Sequence, residues 1–200
     1  AEVKYPDLPE YKGNTGMIML ENIRAAMAQD IYIAKGGEET IFPRFTYHGY
    51  RFVEITGIDE PLPAASVKGV VLSSIHELAS RYETSDEKVN KLWENITWSS
   101  FANFMSIPTD CPQRNERLGW AGDISVFSRT ATYLADVPQF LRRYLRSMRD
   151  VQREDGRFPD IAPLGGGFGG LLWGSAGITV PWECYLQYGD KVLLAEHYDA

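Results

Sequence analysis

"TSDEKVNKLWENI", Thr84 to Ile96, marks the point where the hydrophobic rhythm of the chain changes. Val89, Leu92, Trp93 and Ile96 recur at intervals of three and four, the spacing that gathers side chains on one face of an α-helix. The leading "TSDE" has the form of a capping box, in which Thr84 caps the helix and Glu87, three residues on, reaches back. A helix is therefore predicted from here, with Thr84 as its cap.

Upstream the period is two. "DIYIAK" (Asp30 to Lys35) runs into the turn signal "GGEE", and "TIFPRFTYHGYRFVEITG" follows with two β-branched and aromatic runs broken at His48-Gly49. In "YRFVEIT", Arg51, Val53 and Ile55 alternate with Tyr50, Phe52 and Glu54. "VKGVVLSSI" (Val67 to Ile75) resumes as a strand after the break "DEPLP". These strands are too few for two complete sheets and read as the closing strands of a β-sandwich.

Downstream the helical period persists. A second helix is predicted near Asp123, with Val126, Phe127, Thr130, Ala131 and Leu134 on one side. A third starts near Pro138, where proline suits a first helical turn, and carries the stripe Phe140, Leu141, Tyr144, Leu145, Met148 and Val151. "EDGRFPDIAPLGGGFGG" is a long irregular loop, and "AGITVPWECYLQYGD" a further helix kinked or interrupted by Pro181. "KVLLAEHYDA" begins another helical pattern without a stop signal. Strands first and helices after give a mainly α fold with an N-terminal β region, divided into residues 1–80 and 81–200.

Composition excludes several function classes. At 44% hydrophobic and 24% charged the chain has the make-up of a folded domain, not of a disordered segment. A net charge of −7, with its basic residues scattered among acids, gives no stripe for nucleic acid. No stretch approaches ~20 apolar residues, so no membrane span is predicted. "AEVKYPDLPEYKGNTG" has no apolar secretory core, which leaves a cytoplasmic or an exported protein with its leader removed. Cys111 and Cys184 make no disulfide framework and lack zinc-ligand spacing, so reduced thiols are expected. The "NIT" sequon at Asn95 falls inside the first predicted helix.

Several apparent motifs dissolve on inspection. "GGGFGG" (Gly165 to Gly170) lacks the Lys-Ser/Thr of a phosphate loop and reads as a mobile loop beside a pocket. His48, His76 and His197 have no metal-ligand spacing, and Ser128 has no glycine-flanked elbow. Neither a metal nor a cofactor is predicted.

The stretch "PTDCPQRNERLGWAGD" (Pro108 to Asp123) is different. Asp110, Glu116 and Asp123 lie at intervals of six and seven on a backbone bent by Pro and Gly, so they can converge, and Trp120 stands between the last two. Carboxylates beside an indole suit glycoside chemistry: an acid for the leaving oxygen, anions for hydroxyls, a wall for the ring. A carboxyl donates a proton best where a neighbouring anion and an apolar wall oppose its ionisation. The competing reading is a structural ion-pair network, with Arg114 and Arg117 tying down a loop.

The same stretch resembles the signature of the bacterial α-L-rhamnosidases, inverting glycoside hydrolases with an (α/α)6 barrel. "PRFTYHGYRFVEITG" looks like the family's last β-domain before the barrel. "LWENITWSSFANFMSIPTDCPQR" and "DISVFSRTATYLADV" resemble its first barrel helices, and "VPWECYLQYGD" a later one. The resemblance implies Glu116 as general acid, Asp110 and Asp123 on the rhamnose hydroxyls, Trp120 and Trp173 lining the sugar pocket, and Arg114 positioning the loop. Asn115 and Ser175 depart from the family, each standing where an aspartate is common. The expected substrates are rhamnose-containing glycosides or polysaccharides. The family's general base lies in a further helical region, so the chain reads as a fragment: the end of a β-sandwich and the first helices of an incomplete (α/α)6 barrel. Its other expected partner is the remainder of the parent polypeptide. A non-catalytic rhamnose-binding or scaffold protein of the same fold, and an unrelated helical interaction domain, stand as alternatives.

Overall fold

The structure is a computed structural model and describes residues 21–200. The chain divides into two compact units: the residues up to Gly69 together with Pro112–Asn115, and Val70–Cys111 together with Glu116–Ala200.

The N-terminal unit corrects the strand expectation. Among its described residues the only regular elements are single 3-10 turns at Glu21–Ile23 and Ala64–Ser66, and no β-strand precedes Phe104. The predicted "GGEE" turn does form. Gly36 and Gly37 take positive φ, and the Glu39 carboxylate accepts from the Lys35 backbone N–H at 2.7 Å and the Tyr32 hydroxyl at 2.6 Å. His48 Nε2 meets the Asp30 carboxylate at 2.9 Å. Among the described residues the flanking runs are not assigned as strands, and Ile31 and Ile33 are 85% and 86% exposed. A period-two pattern states only which side chains share a face; a strand also needs a second backbone to accept its hydrogen bonds. The segment Pro112–Asn115 belongs to this unit, where Gln113 lies so close to Gly49 that a Cβ there would fall 2.9 Å from the Gln113 Cβ.

The second unit is helical: α1 (Glu87–Asn103), α2 (Ala121–Leu134), α3 (Pro138–Asp150), the short α4 (Leu171–Gly174), α5 (Ala176–Tyr188) and α6 (Lys191–His197). The minimal antiparallel strands β1 (Phe104–Met105) and β2 (Ile107–Pro108) turn the chain after α1 through Ser106, at φ 64°. The predicted cap moves by two residues. Asp86 caps α1 by accepting from the Lys88 N–H at 2.8 Å, and Thr84 instead exchanges hydrogen bonds with Asn90. An aspartate directly before the first turn satisfies an orphan N–H and faces the positive helix end, so it displaces the more distant threonine.

The third predicted helix is confirmed in position and face: Leu141, Tyr144, Leu145 and Met148 are fully buried and Phe140 nearly so. The face expected for α2 holds only in part, with Ala131 and Leu134 buried and Phe127 packed on the core. Val126 is 70% exposed and Thr130 exposed, while Ala121, Gly122, Ile124, Ser125, Ser128, Ala131, Thr132 and Leu134 are buried. Small residues let the α2 backbone approach α5 and α4 closely, and that fit outweighs the hydrophobicity of Val126. On α1 the helix forms as predicted, but Val89 and Leu92 remain exposed. Pro181 lies buried within α5, which runs from Ala176 to Tyr188 without an interruption there, and left-handed Gly189 ends the helix by donating to the Tyr185 carbonyl at 2.8 Å. Arg142 of α3 forks onto Asp190 and Glu196 at 2.6 and 2.7 Å, fixing both ends of α6. No described helix is long and apolar enough to cross a membrane.

Candidate active site

Pro108–Asp123 is held in place from both ends. On the N-terminal side, the Thr109 N–H and hydroxyl both donate to the Asn103 carbonyl at the end of α1, at 2.8 and 2.7 Å. Asp110 then closes the loop on itself: its N–H donates to the Leu118 carbonyl at 3.0 Å, and its carboxylate accepts from the Leu118 N–H at 2.8 Å. Arg117, at φ 51°, makes the sharp reversal this closure requires. On the C-terminal side, Gly119 fits where nothing larger can: a Cβ would lie 2.2 Å from the Ala162 carbonyl oxygen and 3.2 Å from the Tyr144 ring.

Two carboxylates thereby converge. The side-chain oxygens of Asp110 and Glu116 and the Cys111 sulfur all lie within 4.8 Å of one another, and all three residues are half-buried. These donor types could share a cation; equally, two carboxylates at this separation can hold a hydroxyl-rich ligand. Trp120 donates its indole N–H to Glu116 Oε1 at 3.2 Å, so the ring and the carboxyl are fixed as one unit. Neither Cys111 nor Cys184 forms a disulfide, as expected; burial pushes the Cys184 thiol up to about 12.

The remaining candidates take separate positions. Asp123 is exposed on the first turn of α2. Burial and then the Asp123 carboxylate push the Tyr144 phenol above its usual range, and it donates to the Gly119 carbonyl at 2.8 Å. Trp173, 38% exposed on α4, lays its indole against Gly122, where a Cβ would be 2.8 Å from the ring. Arg114 is half-buried and belongs to the N-terminal unit through Pro112–Asn115. Glu183 and Glu196 are engaged by Arg129 and Arg142.

Sequence reading missed Asp160. It is 6% exposed, and its carboxylate accepts from the Phe168 N–H at 3.1 Å and the Gly170 N–H at 2.8 Å. The glycine run, read as a mobile loop, is folded around this anion. Gly165, Gly166, Gly167 and Gly169 all take positive φ, and a Cβ on Gly167 would overlap the Asp160 carboxylate at 2.0 Å. A lone aspartate before a glycine-rich run has no distinguishing spacing; only the signal of a loop was legible. His197 is also accounted for structurally, stacked on Phe158 with ring centroids 5.2 Å apart.

Known proteins match this arrangement over both units. Residues 77–200 match the bacterial alpha-L-rhamnosidase 6 hairpin glycosidase domain, and residues 8–73 the bacterial alpha-L-rhamnosidase concanavalin-like domain. The chain belongs to the bacterial alpha-L-rhamnosidase family. An alpha-L-rhamnosidase of Streptomyces avermitilis is 47% identical over 199 residues, which is 98% of this chain and 18% of that protein. One from Formosa agariphila is 41% identical over 92% of this chain and 20% of its own length. Among solved structures, an alpha-L-rhamnosidase from Dictyoglumus thermophilum superposes with a TM-score of 0.89 at 41% identity, covering all of this chain and 22% of that one. The Streptomyces avermitilis alpha-L-rhamnosidase complexed with L-rhamnose superposes with a TM-score of 0.87 at 44% identity, over 99% and 19%. The chain thus spans about a fifth of the length of these rhamnosidases. It combines the family's concanavalin-like and 6-hairpin domains in a mainly helical fold.

Proposed function

We propose that this chain carries the acid half of an inverting α-L-rhamnosidase that removes terminal α-L-rhamnose from glycosides or polysaccharides. The observation that carries the reading is Glu116 held by the Trp120 indole N–H beside the Asp110 carboxylate. A bond to Oε1 orients the carboxyl plane, which gives a proton donor a defined direction toward a glycosidic oxygen. Asp110 and Asp123 grip the sugar hydroxyls, and Trp120 and Trp173 supply the apolar wall. Arg114 positions the loop, a role resting on the resemblance alone. Asn115 and Ser175 bear on substrate preference, Ser175 donating its hydroxyl to the Leu171 carbonyl instead of presenting an acid.

An inverting pair stands ~6.5–9.5 Å apart, so that a water fits between sugar and base. Asp110, within 4.8 Å of Glu116, is too close for that base and suits a hydroxyl-binding role. Glu183 and Glu196 are committed to ion pairs. We therefore assign the base to a segment outside residues 1–200, and read the N-terminal unit as the end of a β-sandwich and α1–α6 as the opening of an (α/α)6 barrel. The two family matches, meeting between residues 73 and 77, support a division near residue 80.

In the full-length protein, Glu116→Gln should cost ~10²–10⁴ in rate on natural rhamnosides and far less on aryl rhamnosides with good leaving groups. Equal losses on both would remove Glu116 as the acid. Proton NMR of the first-formed sugar should show inversion; retention would instead make Asp110 a nucleophile. Rhamnose binding measured by calorimetry without turnover would favour the non-catalytic alternative.

A further inference from the structure

We infer that Asp160 is the positioning residue that sets the spacing between the two indoles of the sugar site, Trp120 and Trp173. The inference rests on the rhamnosidase reading and adds to it a residue with no part in the acid chemistry.

Asp160 reaches both rings by separate arms. The backbone arm runs to Trp120: the Asp160 carbonyl accepts from the Ala121 N–H at 2.8 Å, Ile161 bridges Trp120, and the Ala162 N–H donates to the Gly119 carbonyl at 3.0 Å. Residues 160–162 therefore lie as a short antiparallel splint along 119–121, the segment that presents Trp120 to Glu116. The side-chain arm runs to Trp173. One carboxylate oxygen takes the Phe168 N–H and the other the Gly170 N–H, while the Asp160 N–H donates to the Gly166 carbonyl at 2.9 Å. Gly170 is the residue immediately before α4, which carries Trp173 three positions later, and that indole seats on Gly122. A single buried anion thus joins the base of α2 to the start of α4.

The charge matters to this role. A carboxylate is acceptor-only and can take both N–H groups at once, whereas an isosteric amide presents a donor to one of them and leaves that N–H opposed. Loss of either bond loosens Gly165–Gly170, which is then held only at its carbonyls, by the Asp160 N–H, Arg153, Arg157 and the Gly174 N–H, and whose glycines have wide conformational freedom. The acid, by contrast, keeps its own link, because the bond between Trp120 and Glu116 does not pass through the glycine loop. Substrate grip should suffer more than proton transfer.

The test uses the isosteric Asp160→Asn, the truncating Asp160→Ser and Gly167→Ala in the full-length protein. Gly167→Ala drives a methyl onto the carboxylate without altering it. The expected result is a KM for an aryl α-L-rhamnoside, and an inhibition constant for free rhamnose, raised about tenfold, with kcat changed less than about threefold. The dependence of rate on leaving group should stay as in the wild type, unlike Glu116→Gln. Acrylamide quenching of tryptophan fluorescence should rise in the Asp160 variants, and that rise should vanish when the same substitutions are compared in a Trp173→Phe background, locating the change at that ring. Wild-type KM and quenching in folded variants would overturn the inference, as would a fall in kcat at unchanged KM. A wild-type protein that neither binds nor cleaves rhamnosides, yet shows the quenching change, would reject the rhamnosidase reading and leave the Asp160 linkage standing.

Discussion

The N-terminal unit and the helical unit carry apolar residues in equally regular patterns, yet among the described residues only the helical unit buries them. Ile31, Ile33 and Val53 alternate as a strand should and remain at least 55% exposed, while Leu141, Tyr144, Leu145 and Met148 repeat as a helix should and are sealed. An α-helix satisfies its hydrogen bonds within one segment and needs neighbours only for its apolar face. A strand needs neighbours for both. Among the described residues the helical region shows those packed neighbours, while the strand-patterned region contains no assigned strand.

The contrast can be broken most directly by hydrogen exchange on the 200-residue chain. Backbone amides in the middle of α3 and α5 should exchange at least ~10³ times more slowly than those between residues 24 and 60. Comparable protection in both regions would mean that strand pairing exists in solution.

Point substitutions test the same difference on a smaller scale. Leu141→Ala should cost ~2–5 kcal/mol, because it empties a site with no exposed surface. Ile33→Ala, at 86% exposure, should stay within ~0.5 kcal/mol. Denaturant melts of the two variants would decide it, and similar losses would sink the comparison.

A smaller effect should appear with pH at the last helix. Burial, and then Arg149, hold His197 below its ordinary value of 6.5, with the Gly177 carbonyl opposing them more weakly. Arg149 donates toward Nδ1 at 3.0 Å, which selects the neutral ring. A depressed folded value means that the contribution is complete above about 6.5 and is lost as pH falls through the lower folded value. The melting temperature of the wild type should therefore drop more between pH 7.5 and pH 5 than that of His197→Phe, which retains the stack on Phe158. Parallel slopes would show that His197 contributes nothing to the pH dependence.

How much was legible follows from the same physics. The α3 stripe was read correctly because every third or fourth residue is large and apolar and Pro138 opens the helix. The α2 face was read only in part: Phe127, Ala131 and Leu134 pack inward, but Val126 and Thr130 do not, because the remaining contacts depend on alanine, glycine and serine, which carry weak hydropathy signals and gain their value from close approach. The cap moved from Thr84 to Asp86 because both residues qualify locally, and only the path of the chain chooses between them. Asp160 left no trace in the pattern, since its partners are backbone N–H groups that the sequence does not spell out.

The resemblance carried by "PTDCPQRNERLGWAGD" and its flanking stretches was enough by itself to place the chain among the bacterial alpha-L-rhamnosidases, and the spacing named Asp110, Glu116 and Asp123, with Trp120 between the last two, as a converging group. Tertiary structure alone decided that Asp110 and Glu116 meet, that the glycine run closes on Asp160, and that α1 is capped by Asp86. The reason is that a sequence records what each side chain can do, while burial and pairing are relations between segments that exist only once the chain has brought them together.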